Sequence, residues 1–135
     1  MQRGDIILVF SHRLGMCCDP YDCLAGGGCY LWRACKSRPC WISEVCGDHI
    51  SVVPFSTTRA TPVVFEPGEG GLSRRSFLKP SVYTLNYHAT GPYIGWLDPK
   101  TVIERIESSV PLEELETWEE VIGVPSVTLS EAIVW

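Results

Sequence analysis

Seven cysteines, Cys17, Cys18, Cys23, Cys29, Cys35, Cys40 and Cys46, fall between positions 17 and 46, and His49 follows shortly after the last of them. Zinc takes about four thiolate or imidazole ligands, usually in pairs two to four residues apart. Cys46-x₂-His49 is the tightest such pair here; Cys18-x₄-Cys23 and Cys35-x₄-Cys40 are looser, and no Cys-x-x-Cys exists. The spacing makes Cys35, Cys40, Cys46 and His49 the candidate set for a structural zinc. Two other readings stand beside it. Disulfides would tie a loop to the rest of the domain, although an odd cysteine count without a secretion signal disfavours a complete framework. Free thiols would leave Cys40 as a small buried hydrophobe on a strand, and the adjacent Cys17-Cys18 pair is a conceivable redox element. The expectation is that at least two cysteines are cross-linked, through zinc or a disulfide, with Cys46 among the leading candidates.

A second chemistry is cationic. Arg33, Lys36 and Arg38 lie close together, as do Arg74, Arg75 and Lys79. The formal charge of −5 argues against long-range attraction to nucleic acid, but leaves room for a local basic groove. The acidic excess is late, in Glu113, Glu114, Glu116, Glu119 and Glu120.

These residues must be positioned by a small domain. The 135 residues, 45% apolar and 20% charged, suit one globular unit with a real core and do not suit a disordered chain. The apolar run 6–10 is far below the roughly 20 residues a membrane span needs. It is also too short for a secretory leader, so a cytoplasmic protein is expected. Strand signals fall at 4–10, 40–43, 50–53, 62–65, 76–78 and 82–85, separated by Gly/Pro turns such as Gly47-Asp48 and the 67–71 stretch. Between them, 14–36 reads as a long cysteine-bearing loop. Many short strands joined in this way predict a small barrel or sandwich.

Asp98-Pro99 then reads as a helix start, Asp capping and Pro in the first turn, with Val102, Ile103 and Ile106 as its apolar stripe. A second helix is expected from Pro111, with Leu112, Leu115, Trp118 and Ile122 inward and glutamates outward, ending at Gly123 and Pro125. Weak strand character returns over 127–135.

The order of these pieces resembles the PemK/MazF toxin family. Gly4-Asp5-Ile6-Ile7-Leu8-Val9 is similar to its opening strand, and Arg38-Pro39-Cys40-Trp41-Ile42 to its second. Val52-Val53-Pro54-Phe55-Ser56-Thr57 is similar to its V-x-P-x-T-[ST] segment. Gly71-Leu72 with Ser76-Phe77-Leu78, and Ile94-Gly95-Trp96-Leu97 before a helix, look like its later elements. The resemblance spans residues 3–108 and leaves 109–135 as an acidic helix and tail within the single domain 1–135.

It implies a mainly β, SH3-like barrel with C-terminal helices that acts as a homodimer. It further implies metal-independent cleavage of single-stranded RNA, and neutralisation by an antitoxin protein. The ribose 2′-hydroxyl would attack the neighbouring phosphate, with a guanidinium stabilising the charge that develops. By position, Arg38 matches the family's active-site arginine, and Ser56 or Thr57 its active-site threonine. Arg74, Arg75 and Lys36 are the candidate RNA-binding cations. A catalytic Arg and Asp that some members carry are missing where this chain reads Leu78-Lys79-Pro80, so Arg74, Arg75 or His88 would have to substitute. No cofactor is implied for catalysis. Two functions follow from different classes: an endoribonuclease toxin, or a non-catalytic barrel whose cysteine loop grips a metal or a protein. The acidic helix adds the idea of an internal antitoxin mimic lying across the basic groove.

Overall fold

The structure is a computed structural model, described for residues 1–10, 14, 37–58, 60–86 and 90–123. Its strands are β1 (Asp5–Phe10), β2 (Ser37–Cys46), β3 (His49–Ser56), β4 (Val64–Phe65), β5 (Ser76–Leu78), β6 (Tyr83–Asn86) and β7 (Tyr93–Trp96). They form one antiparallel sheet in the order β4-β5-β3-β2-β1-β7, with β6 also on β3. Helix α1 (Pro99–Ser109), a 3₁₀ segment (Leu112–Trp118) and the short α2 (Glu119–Ile122) follow. The expected mainly β small barrel with C-terminal helices is present, and no helix among the described residues is long and apolar enough to cross a membrane.

Alternation along the three central strands explains why the sheet is buried on both faces. Ile6 of β1, Trp41 of β2 and Val53 and Phe55 of β3 point into one core; Ile7, Val9, Cys40, Ile42, Ile50 and Val52 point into a second, with Leu14 and Leu85. In register, Ile6 lies beside Trp41 and Trp41 beside Val53, so a row of large side chains crosses the sheet. The Trp41 indole Nε1–H donates to the Leu97 carbonyl at 3.1 Å, tying β2 to the segment that enters α1.

Curling of the sheet centres on β3. Its first half, His49 to Val52, pairs with β6, and its end, Phe55 and Ser56, pairs with β5. Pro54 sits at the changeover, where a residue with no N–H leaves no donor stranded, and its carbonyl accepts from the Lys79 N–H at 3.0 Å. The loop between β4 and β5 then returns to β7 and covers its outer edge. A Cβ on Gly95 would overlap the Gly70 carbonyl oxygen, and one on Gly71 would stand 2.5 Å from that of Ile94. Only glycines let these backbones meet.

The strands expected from sequence between residues 4 and 85 are all present, with longer bounds for the central pair. The Gly47-Asp48 turn joins β2 to β3 as expected, with Gly47 at φ +62. The Asp98 carboxylate caps α1 by accepting from the Lys100 N–H at 3.2 Å, and Val102 and Ile106 are buried, Ile103 only half.

The second helix differs from expectation. It is mostly 3₁₀, whose period of three aligns Leu115, Trp118 and Val121 rather than the α-helical set ending at Ile122. Trp118 and Val121 are buried and Leu115 and Ile122 partly so, while Leu112, expected inward, is 82% exposed. Val110, Trp118 and Val121 join the same core as Ile6 and Trp41, so residues beyond the family resemblance are part of the domain's interior. Gly123 ends the segment in the left-handed region at φ +84. The expected loop 15–36 and the strand over 127–135 lie outside the described residues.

Candidate active-site groove

Pairing of β1 with β2 sets Leu8 beside Pro39 and Val9 beside Arg38, while β2 pairs with β3 from Cys40 opposite Pro54. Two residues further in that register, the end of β3 is level with Arg38. The chain leaves β3 through Ser56-Thr57-Thr58, and the β4–β5 loop brings Leu72, Ser73 and Arg74 alongside. These elements enclose a groove of about 440 Å³. Its apolar surface comes from Leu8, Pro39, Phe55 and Leu72, and its polar surface from Ser37, Arg38, Thr57, Thr58, Ser73, Arg74 and Ser76.

The electrostatics are one-sided. Among the described residues, the only ionisable side chains lining the groove are Arg38 and Arg74. The Arg38 Nε is buried and makes no hydrogen bond. An unpaired buried donor on a cation is costly. Ser56 is buried, and its Oγ accepts from the Thr58 N–H at 3.2 Å, which fixes the turn after β3. The Ser76 hydroxyl donates to the Arg74 carbonyl at 2.8 Å and holds the opposite wall. A hydroxyl-rimmed site with two guanidiniums and no carboxylate is suited to a phosphodiester.

Of the residues singled out by sequence, Arg38, Thr57 and Arg74 meet in this groove. Ser56 and Thr57, one position apart, are separated by the structure: Thr57 lines the groove, whereas Ser56 is buried beneath the turn. Arg75, grouped with Arg74 in the sequence, points elsewhere, its Nε 3.5 Å from the Glu66 carboxylate and its guanidinium over the Phe77 ring. Thr58, Ser37, Ser73 and Ser76 were not expected. The run Ser56-Thr57-Thr58 and the serine preceding Arg74 were their only traces in the sequence. None of the described acidic segment lines the groove, so there it is no internal mimic. Lys36, Cys35 and His88 lie outside the described residues.

Among the described members of the four-ligand zinc set, Cys40 and Cys46 are not brought together. Cys40 and Cys46 lie six positions apart on β2, about 20 Å at the usual strand rise, whereas two thiolates on one zinc sit about 4 Å apart. Both are free thiols, Cys40 buried and Cys46 exposed, so Cys46 takes no part in a disulfide. Burial pushes the Cys40 thiol up to about 12, with nearby Arg38 opposing weakly, which makes it a poor ligand and nucleophile. Cys46 and His49 do face each other across the turn, but the His49 Nδ1 is 2.7 Å from the Asp48 carboxylate. Among the described residues, no group of three or more His, Cys, Asp or Glu side chains converges as a metal site would require.

No protein-family model matches the chain, and no curated protein does. Among solved structures, the chain is similar to an endoribonuclease in complex with its cognate antitoxin from a mycobacterial species. That likeness has 17% identity and a TM-score of 0.49, and covers 93% of this chain and 97% of that one. With identity and score so low, the groove's own residues must carry the functional reading.

Proposed function

We propose that this protein is a metal-independent endoribonuclease acting on single-stranded RNA, the toxin of a toxin–antitoxin pair. The observation that supports it is a groove lined by Arg38, Arg74 and Thr57 together, with no other ionisable side chain among the described residues. In this reading the scissile phosphate sits between the guanidiniums, with the Thr57 hydroxyl fixing one of its oxygens. The 2′-oxygen forms a bond to phosphorus as the bond to the 5′-oxygen breaks, giving a 2′,3′-cyclic phosphate and a 5′-hydroxyl. The 2′-hydroxyl proton is lost to water, and water returns one to the leaving 5′-oxygen. The arginines stabilise the extra negative charge on the phosphoryl oxygens in the transition state. A cytoplasmic location, a homodimer and an antitoxin that covers the groove belong to the same proposal.

One observation favours a second reading, a non-catalytic RNA- or protein-binding barrel: no imidazole or carboxylate lines the groove among the described residues. Purified protein incubated with a long single-stranded RNA in EDTA separates the two. Wild-type cleavage that is lost in Arg38→Ala supports the enzyme; a shifted but uncut RNA supports the binding module.

A further inference from the structure

The wall of the groove that carries Arg74 is made by a glycine-rich loop that folds on itself in a short 3₁₀ turn, Glu69–Gly71, with the Gly68 N–H donating to the Leu72 carbonyl at 2.7 Å. Gly68, Gly70 and Gly71 all sit in the left-handed region, at φ +98, +61 and +80. Chain of this kind has many alternative conformations to give up on ordering, so contacts from outside add to these internal bonds in selecting the one observed. On one side the selection is made by β7, through the close backbone approach at Gly71 and Gly95. On the other it is made by a single side chain of α1. Arg105 reaches across to donate from Nη1 to the Glu69 carboxylate at 2.9 Å and to the Val64 carbonyl at 3.1 Å, with its guanidinium over the Phe65 ring.

The connection continues toward the groove. The Glu69 Oε2 that meets Arg105 also accepts from the Glu66 N–H at 2.7 Å, closing the loop's first turn. The Glu66 carboxylate in turn faces Arg75, the residue directly after Arg74. Leu72, between these anchors, is buried and lines the groove. The loop is therefore pinned at Glu69 and again at Arg75, with Ser73 and Arg74 in the span between. Both ion pairs are partly exposed and would add little to stability by themselves. Their geometry gives them a different use.

We propose that Arg105, which lies outside the groove, is a positioning residue for it: through Glu69 it holds the 66–75 loop so that Arg74 stays on the RNA-binding wall. This rests on the reading of the groove as an RNA site, and deepens it.

A double-mutant cycle tests the proposal, read by fluorescence anisotropy with a 2′-O-methyl single-stranded RNA that cannot be cleaved. Arg74→Ala is expected to weaken binding about tenfold. Arg105→Met keeps an apolar stem over Phe65 and removes the charge; it is expected to weaken binding about fivefold. Arg105→Lys, which restores a charge to Glu69, should recover part of that loss. The double variant Arg74→Ala/Arg105→Met should bind no worse than Arg74→Ala alone, because Arg105 acts through Arg74. If Arg105→Met does not fold, Glu69→Gln takes its place in the cycle, since it leaves Arg105 its contacts with Val64 and Phe65. Wild-type binding by Arg105→Met (or by Glu69→Gln in its place), or losses that multiply in the double variant, would overturn the inference while leaving the groove reading intact. Wild-type binding by Arg74→Ala would overturn the groove reading, and the inference with it.

Discussion

Replacing Arg38 with methionine should abolish function and at the same time stabilise the fold. The side chain is half-buried, and its Nε is buried without a hydrogen-bond partner. Leaving such a donor unsatisfied costs about 1–3 kcal/mol. Methionine keeps most of the aliphatic stem and removes the orphan group. The backbone contact at this position, the Cys40 thiol against the Arg38 carbonyl at 3.6 Å, does not depend on the side chain. The rest of the guanidinium loses some favourable hydration when deleted, so the net gain is placed at the low end, about 1 kcal/mol. Unfolding entropy of about 2.1 cal/mol/K per residue over 135 residues makes that a rise in Tm of about 3 °C. Cleavage of single-stranded RNA should fall by about 10²–10³, as when a charge-stabilising donor is removed elsewhere. Scanning calorimetry and an RNA gel on the same preparation provide both readings. A Tm lower by several degrees would show that Arg38 is there for the fold, and unchanged cleavage would show that it has no part in the chemistry.

Gly95→Ala should destabilise by more than about 2 kcal/mol in a urea melt, because its Cβ meets backbone that cannot move aside. Gly47→Ala, at φ +62 with open space around it, should cost only about 1 kcal/mol; equal costs would contradict the closure of the sheet against the β4–β5 loop. With iodoacetamide, Cys46 should be labelled in the native protein while Cys40 reacts only on unfolding, given its burial and its thiol pushed up to about 12; native labelling of Cys40 would show that the second core opens. The hydrogen bond from Arg105 holds the Glu69 carboxyl below the usual carboxylate range, with burial opposing and the Glu66 N–H assisting. A lowered folded value means that this pair stabilises above about pH 4.3 and is lost as pH falls through the lowered value. The acid limb of a Tm–pH curve should therefore be shallower in Glu69→Gln than in wild type, by an amount kept small by the pair's exposure; coincident limbs would contradict the linkage.

Much of this architecture was legible in the residues themselves. The unbroken apolar run Ile6-Ile7-Leu8-Val9 and the β-branched stretch Ile50 to Val53 mark strands, and Asp98-Pro99 marks the start of α1, because these signals are local. Arg38 and Thr57 could be nominated only because Arg38-Pro39 and the segment Val52 to Thr57 resemble motifs of the PemK/MazF family; by themselves they read as a surface arginine and a turn hydroxyl. Non-local facts were not legible. Which of Arg74 and Arg75 faces the groove depends on Glu66, and which of Ser56 and Thr57 does depends on a turn closed by Thr58. The joint placement of Cys40 and Cys46 was illegible for a related reason: spacing along the chain ignores that a ten-residue strand carries them far apart. The helix expected from Pro111 went wrong in its period, since the apolar residues at 112, 115, 118, 121 and 122 satisfy both a three-residue and an α-helical repeat. Only the docking of Trp118 and Val121 into the core decides between them.

The central claim is that Arg38 and Arg74 serve an attack by the RNA's own 2′-hydroxyl. The most direct measurement compares an all-RNA oligonucleotide with the same oligonucleotide carrying one 2′-deoxy residue at the mapped cut site, both in EDTA, with fragments identified by mass. Cleavage of the first to a 5′-hydroxyl fragment and a 2′,3′-cyclic phosphate, with the second left intact at that site, is the predicted result. Cutting of the deoxy-substituted strand at the same position, or 5′-phosphate ends, would contradict it.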